Sequence, residues 1–535
     1  MQQKFIFVTG GVLSGLGKGI AAASIGHILS HKYNVVPVKM DGYLNTDPGT
    51  MNPKEHGEVF VLDDGTEVDM DFGHYERYFN CTCTKEQSIT MGRVFSDIQK
   101  KERRGDYLGK TVQLIPHVTD LIKEKIKIAA GNAEIVIVEV GGTVGDIESE
   151  LFIETIKQLG SELGEMNCMF VHLTYVPIPP HVGEPKTKPT QQSVKLLLER
   201  GIKPDIILAR CTDKISDQIK DKIALFCNVR REDVISAHDV KNIYEIPEIY
   251  VKQNMIHLLN TKLELELSKE VDLRWIDLTK SLGVLEKENP IKVAICGKYT
   301  GLEDSYASII EALTHCKAKT KKQIEIEMIE TSNLENDEDV KRILEGVDAI
   351  IVPGGFGNRG TEGKIKVIKY ARENNIPFLG ICLGLQLAVI EFLRNVCEVR
   401  DATSEEFDLI SEHQVIKYLP GQNIKIDIGG TLRLGSYNAR IKLGTKIYDA
   451  YNSENIDERH RHRYEVNPKY HSILENNGMS LAGMSENGML VEFISLEQHP
   501  YFIGTQAHPE FKSKLEKPAP LFLGLIESAI KRKST

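Results

Sequence analysis

A chain of 535 residues is too long for one hydrophobic core, so two or more domains are expected. Its 27% charged residues and net charge of -10 argue against a nucleic-acid surface or a polybasic membrane patch, so any phosphate site must be local. Nine scattered cysteines with no CxxC pair do not form a disulfide framework, and neither a signal peptide nor a run of ~20 apolar residues occurs, which reads as a cytoplasmic protein with reduced thiols.

The chain opens on FIFVTGGVLSGLGKGI, where Phe5 to Val8 reads as a buried strand, a glycine-rich turn follows, and Lys18 begins an Ala/Ile/Leu-patterned helix. That order suits phosphate binding. The usual spacing of GxxxxGK followed by Ser or Thr is not met: five positions before Gly17 stands Val12, Gly11 lies one position early, and Gly19 follows Lys18. The β-rich runs VVPVKM at 35, EIVIVEV at 134, MFVHL at 169 and DIILA at 205 alternate with helix-length segments, which implies a parallel sheet with helices on both faces.

If Gly15, Gly17, Lys18 and Gly19 cradle a triphosphate, backbone N–H groups and the helix dipole hold its oxygens while Lys18 balances charge. A metal ion then needs carboxylates from elsewhere. Asp71 in EVDMDFGHYERY and Glu139 in IVIVEVGGTVGDIES are the candidates, a pair that with phosphate oxygens suits magnesium. Asp71 has competing readings as a loop cap or, with Asp69, as a solvent-facing strand position in the alternation EVDMD. Glu139, which closes an apolar run before two glycines, is poorly explained as surface decoration. GEPKTKPTQQSV joins a proline-rich approach to a helix beginning near Thr190, and reads either as a second anion site or as a polar loop. Cys81, Thr82 and Cys83 read as a loop rather than a zinc site.

VDLRWIDLTKSLGVLEKENP holds the only tryptophan, Trp275, and ends in a polar stretch, so the expected organisation is a domain at 1–267, a linker at 268–289 and a domain at 290–535. Strand and helix alternation resumes with IKVAIC, IEIEMIE, AIIVP and PFLGIC, a second α/β unit. PFLGI runs into Cys382, Leu383, Gly384, Leu385 and Gln386, placing a thiol on a sharp strand-to-helix turn where the helix N-terminus favours the thiolate; the competing reading is a core cysteine. AIIVPGGFGNRG puts Gly354, Gly355 and Phe356 after another strand end, where N–H groups can face an oxyanion, and GTQAHPEF supplies His508 and Glu510. In such a set His508 takes the thiol proton, Glu510 orients His508, and the Cys382 thiolate attacks a carboxamide to release ammonia. The terminal KRKST reads as a solvated tail.

PGGFG, GICLGLQ and HPEF in this order resemble class I glutamine amidotransferase domains. That resemblance implies oxyanion N–H groups from Gly355 and Leu383, and glutamine contacts from Gly354, Phe356, Gln386, Glu406 in SEEF and Arg463 in RHRYEVN. In the N-terminal half, FVTGGVLSGLGKGI, KMDGYLNTDPGTMNPKEHGEVFVLDDGTEVDMDFGHYERY, RRGDYLGKTVQLIPHVTD, EVGGTVGDIES, EPKTKPTQ and KIALFCNV are similar to the CTP synthase family, so the likeness runs from residue 3 to about 525. It implies two doubly wound α/β domains: a P-loop-like one of the dethiobiotin-synthetase kind, then a flavodoxin-like class I amidotransferase.

The reaction implied is ATP-dependent phosphorylation of the UTP O4 followed by displacement of phosphate by ammonia, giving CTP, ADP and phosphate. By the same resemblance Ser14, Gly15, Leu16, Gly17, Lys18 and Gly19 contact ATP, with Lys39 near the transferring phosphoryl group and Asp71 and Glu139 on Mg2+. Ser14, Gln113, Asp146, Glu148, Lys186, Lys188, Gln191 and Lys222 fall to the UTP and CTP site, and Arg359 and Arg433 to activation by GTP. CTP is implied as a product inhibitor, L-glutamine as the ammonia source, and a homotetramer that can form filaments as the assembly, without nucleic-acid or membrane partners. The alternatives are a glutamine-dependent amidoligase acting on another acceptor, and a partition-type ATPase scaffold with a disused amidotransferase fold.

Overall fold

Every apolar run named above becomes a strand, and in the first unit all of them pair in parallel. The structure, a computed structural model, describes residues 2–79, 81–268, 273–298, 303–418 and 432–534. It falls into two compact units, one made of Met1–Pro48 and Asp71–Thr279, the other of Gly49–Met70 and Lys280–Thr535. No helix among the described residues is long and apolar enough to cross a membrane.

The sheet of the first unit runs in the spatial order Ser88–Thr90, Val35–Asp41, Ile135–Val140, Lys4–Gly10, Cys168–Tyr175, Ile206–Cys211, Val234–His238. Its strands are buried along nearly their whole length, as expected when helices cover both faces. Register sets the chemistry at its carboxyl edge. Lys39 pairs directly with Glu139, and Glu139 with Val8, so these side chains come up beside the loop that leaves Gly10.

The second unit carries a nine-stranded sheet in the order Lys322–Glu330, Glu286–Gly297, Ala349–Val352, Phe378–Ile381, Phe502–Thr505, Val491–Ser495, Ser480–Ser485, Arg433–Ile441, Asn455–His462. The first five strands are parallel, as the alternation implied. The last four continue antiparallel; their connections hold only the six-residue helices Lys446–Tyr451 and His471–Asn476, too short to give the strand-helix rhythm of the parallel part.

Four expectations change. The stretch Gly49–Met70, inside the expected first domain, folds with the second unit. The expected linker 268–289 contains the helix Leu273–Gly283 and the start of the strand Glu286–Gly297. Trp275 anchors that helix: it is buried, its Nε1 donates to the Tyr244 carbonyl across 3.0 Å, and its ring lies 4.0 Å from that of His27. In EVDMD the strand is only Glu67–Val68, and Asp71 opens the helix Asp71–Tyr78. KRKS is not a tail but the last turn of the helix Pro520–Ser534, whose Leu521, Phe522, Leu525 and Ile526 are buried and whose Lys533 reaches Asp348 at 2.8 Å.

Candidate active site

In the first unit the loop after Lys4–Gly10 leaves Val12 and Leu13 exposed, turns through Gly15 and Gly17, and enters the helix Lys18–Ser30. The N–H groups of Gly17 to Ile20 thus form the first turn of a helix, which is where phosphate oxygens bind. Lys18 is buried and its Nζ donates to the Gly142 carbonyl across 2.9 Å; burial pushes its ammonium down, against the pull of Glu139. Gly19 has a steric reason: a Cβ there would lie 1.8 Å from Asp71 Oδ1. The departure from the usual motif is therefore where the carboxylate comes in.

Lys39 is the hub of this edge. Its Nζ donates to Asp71 Oδ2 and, across 2.8 Å, to Glu139 Oε1, with Asp41 Oδ1 at 3.8 Å. Tyr75, one helical turn after Asp71, donates its hydroxyl to Glu139 Oε2. Burial and the Asp71 charge push the Glu139 carboxyl up; burial also acts on Asp71, but Lys39, His74 and Lys18 outweigh it and hold Asp71 at about 2. Both acids reach one point, the Lys39 ammonium, so with phosphate oxygens their donor set fits a hard divalent cation. Tyr75 and Asp41 escaped the sequence reading, although the i, i+4 spacing from Asp71 to Tyr75 was open to it.

Of the residues assigned to the pyrimidine nucleotide, Lys186 pairs with Glu184, and Lys188 begins the helix Lys188–Glu199 with its Nζ 5.7 Å from the Phe226 ring centroid. The Lys222 charge also acts on Glu184, so the three lysines share one neighbourhood. Gln191 Nε2 donates to Thr187 Oγ1 across 2.9 Å. Asp146 and Glu148 are exposed on the loop after Ile135–Val140, and Gln113 is exposed with its N–H on His117 Nδ1 at 3.0 Å. A separate apolar cavity of about 80 Å3, lined by Leu16, Arg210, Ala237, His238, Val240 and Tyr250, opens beside the phosphate loop. Its residues come from strand ends, the loops after them and the helix Ile246–Lys252, a grouping no local motif announces.

In the second unit, three adjacent parallel strands end in the three motifs. Ala349–Val352 leads to Gly354 and Gly355, Phe378–Ile381 to Cys382, and Phe502–Thr505 to His508. Cys382 has φ 55° and ψ -104°, a strained turn conformation that costs about 1–3 kcal/mol, and caps the helix Leu383–Asn395. His508 Nδ1 bonds Glu510 Oε1 at 2.7 Å. Burial opposes a charged imidazole, but Glu510 and the neighbouring Cys382 prevail and raise His508 to about 10; the Cys382 Sγ itself lies 3.6 Å from the Arg461 carbonyl. At Gly354 a Cβ would lie 3.1 Å from His508 Cε1 and 3.4 Å from Cys382 Cβ, so a side chain there would press on the His508 ring.

These groups open on a cleft of about 540 Å3 whose walls include Phe356, Glu406, Arg463 and Tyr464. Glu406 Oε1 accepts the Gly357 N–H at 2.6 Å, and burial pushes its carboxyl up. An acid and an arginine facing one cleft match the ammonium and carboxylate of an amino acid. Gln386 lies elsewhere: it is buried, with Nε2 on the Tyr464 carbonyl at 2.9 Å and on Gln506 Oε1 at 3.1 Å. Met51, Glu58 and Glu67 from the excursion Gly49–Met70 complete the cleft wall. Arg461 holds that stretch through Glu67 Oε1 at 2.7 Å and the Gly49 carbonyl at 3.0 Å, and Arg459 through Asp63 at 2.6 Å.

Arg359, half exposed, donates to the Lys298 carbonyl and lies 3.5 Å from Glu330. Arg433 is buried, with Glu492 at 2.6 Å and Glu465 at 3.4 Å, so its guanidinium is committed inside the fold.

A phosphate loop with lysines and acids at a parallel sheet edge, in one chain with a Cys-His-Glu elbow, is the layout of a glutamine-dependent ligase. The family model described as CTP synthase N-terminus matches residues 4–265, and that of glutamine amidotransferase class-I matches residues 302–528. The CTP synthase of Borreliella afzelii is 49% identical over 98% of this chain and 99% of its own, and that of Methanocaldococcus jannaschii 50% identical over 99% of each. That of Staphylococcus saprophyticus is 50% identical over 98% of each. A solved structure of the glutaminase domain of Trypanosoma brucei CTPS with bound acivicin is 37% identical, covers 45% of this chain and 94% of its own, and has a TM-score of 0.43. The chain belongs to the CTP synthase family.

Proposed function

We propose that the enzyme aminates UTP to CTP, with ATP activating the UTP O4 and glutamine supplying ammonia. The observation that carries this reading is the convergence of Lys39, Asp71 and Glu139 beside the phosphate loop, in a chain that also holds a complete Cys-His-Glu set.

In the second unit His508, kept as an imidazolium by Glu510, carries the proton given up by Cys382, and the Cys382 thiolate attacks the glutamine carboxamide carbon. The tetrahedral oxyanion rests on the N–H groups of Gly355 and Leu383. Collapse expels ammonia, which takes the proton from His508, and leaves a thioester that water hydrolyses to glutamate. Glu406 and Arg463 hold the amino acid's ammonium and carboxylate, Phe356 and Gly354 shape the cleft, and buried Gln386 supports Tyr464 from below.

In the first unit Ser14 to Gly19 bind the ATP phosphates, and the apolar cavity beside Leu16 takes the flat adenine. Asp71 and Glu139 would hold Mg2+, which neutralises phosphate charge when bound. Lys39 faces the transferring phosphoryl group, whose charge it balances in a water-poor edge. The UTP O4 attacks the γ-phosphorus and ADP leaves; ammonia then adds at C4 and phosphate departs with the oxygen. Lys186, Lys188, Gln191 and Lys222 grip the UTP triphosphate, and Gln113, Asp146 and Glu148 its nucleoside end. CTP, sharing that triphosphate, competes there. GTP activates glutamine hydrolysis through the face that carries Arg359, and a cytoplasmic homotetramer that can build filaments is the working assembly.

The test is CTP formation from UTP, ATP and magnesium with either glutamine or ammonium. Cys382→Ala is expected to abolish only the glutamine-dependent rate and Lys18→Ala both. No CTP from either nitrogen source would sink the proposal.

A further inference from the structure

Two lysines outside every motif named so far lie buried beneath the oxyanion loop. Lys364, on the helix Thr361–Glu373, is 0% exposed, and its Nζ donates to the Pro353 carbonyl across 3.0 Å. Lys298, at the end of the strand Glu286–Gly297, is 2% exposed; its Nζ donates to the Phe356 carbonyl and, across 3.0 Å, to that of Gly357. A wholly buried lysine is costly, and here both ammonium groups are spent on the carbonyls of one short loop.

Peptide geometry turns these bonds into a constraint on N–H direction. In a trans peptide the C=O of one residue and the N–H of the next point opposite ways. Where Lys298 draws the Phe356 carbonyl down, the Gly357 N–H turns the other way, onto Glu406 Oε1 at 2.6 Å. Where Lys364 draws the Pro353 carbonyl in, the Gly354 N–H is turned outward by the same rule. Between the two anchored ends remain only the peptides joining Gly354 to Gly355 and Gly355 to Phe356, and the Gly355 N–H belongs to the first. The Lys298 stem also backs Gly355, since a Cβ there would lie 3.3 Å from Lys298 Cε.

We infer that Lys364 and Lys298 are positioning residues for glutamine hydrolysis, a two-point clamp that aims the Gly355 N–H at the tetrahedral oxyanion; this rests on the glutaminase reading above. The clamp acts on the transition state rather than on glutamine binding, which falls to Glu406 and Arg463. Burial pushes the Lys364 ammonium down to about 7, with Lys298 acting in the same direction, and the Pro353 carbonyl accepts a hydrogen bond from either charge form. The two lysines escaped the sequence reading because GTEGKIKV and ICGKY look like ordinary helix and strand-end charges.

The experiment is glutamate release by the full-length enzyme carrying Lys364→Met, which keeps the stem and removes the donor. Loss of one oxyanion donor costs about 100-fold or more in kcat. The clamp predicts a loss of about that size, with the KM for glutamine within about threefold of the parent. An aldehyde analogue of glutamine, which adds to the thiol as a tetrahedral hemithioacetal, should bind weaker by the same factor as kcat. Ammonium-dependent CTP formation, which needs no Cys382, reports whether the variant has folded. If it has not, Lys298→Met carries the test on kcat and on the aldehyde's affinity, with KM left out because Lys298 also sets the Gly357 N–H on Glu406. An unchanged kcat, or a loss that lies in KM, overturns the clamp; absence of glutamine hydrolysis in the parent enzyme would instead overturn the function proposed above.

Discussion

Gly19 and Asp71 are locked together: any side chain at position 19 would overlap the carboxylate, with its Cβ 1.8 Å from Oδ1. Gly19→Ser, which restores the common phosphate-loop pattern, is therefore expected to be worse than the native sequence. Displacing a reacting-site group by about 1 Å can cost about 100-fold. CTP formation should fall by about that factor with ammonium as well as with glutamine, while glutamate release persists. A Gly19→Ser enzyme with parental ammonium-dependent rate would show that Asp71 has no part in the chemistry.

Tyr75→Phe removes the hydroxyl that donates to Glu139. A donor favours the charged carboxylate, so its loss raises the Glu139 pKa further above the usual carboxylate range, adding to burial and Asp71. The acid limb of the ammonium-dependent rate should move to higher pH by about one unit, and half-saturation by Mg2+ should need several-fold more metal. Rate against pH and against Mg2+ concentration, with ammonium as the nitrogen source, checks both.

Glu510→Gln removes the charge that holds His508 protonated. Glutamate release should fall by about 100-fold or more. Stability should respond as well, with a definite sign. Because the folded-state His508 pKa, about 10, lies above the ordinary 6.5, its contribution is fully present below pH 6.5 and disappears as pH rises toward 10. Urea unfolding at pH 6 and pH 9 should show the parent's advantage over the variant shrinking at the higher pH; a gap that widens would contradict the assignment.

Arg433→Met leaves Glu465 and Glu492 buried without their cation. Breaking a buried pair costs about 3–5 kcal/mol, which corresponds to a fall of about 10 °C in Tm for a unit of this size. Calorimetry separates the two roles open to this residue. A stable variant that has lost only its response to GTP would restore the regulatory assignment and show that the internal pairs matter little.

The strand ends were legible because each combines a β-branched apolar run with an abrupt glycine, cysteine or acid, and a parallel sheet places such ends on one edge. That is why Glu139, Cys382 and His508 stand out from the residues alone, whereas Lys39 enters only through the family resemblance. Lys298 and Lys364 were not legible, since their meaning lies in backbone carbonyls that carry no sequence signal. The same holds for Arg459 and Arg461, whose partners Asp63 and Glu67 lie near the other end of the chain. The helix around Trp275 was hidden by the polar Lys/Glu/Asn/Pro residues that follow it.

The excursion Gly49–Met70 has a consequence for anyone who would recombine these units. The chain crosses from one to the other after Pro48, returns at Asp71, and crosses again after Thr279. A chimera that exchanges the glutamine-hydrolysing half for that of another enzyme must therefore be spliced at three joints. A graft made at the last joint alone would pair a foreign half with a native roof, facing Arg459 and Arg461 replacements never matched to Asp63 and Glu67.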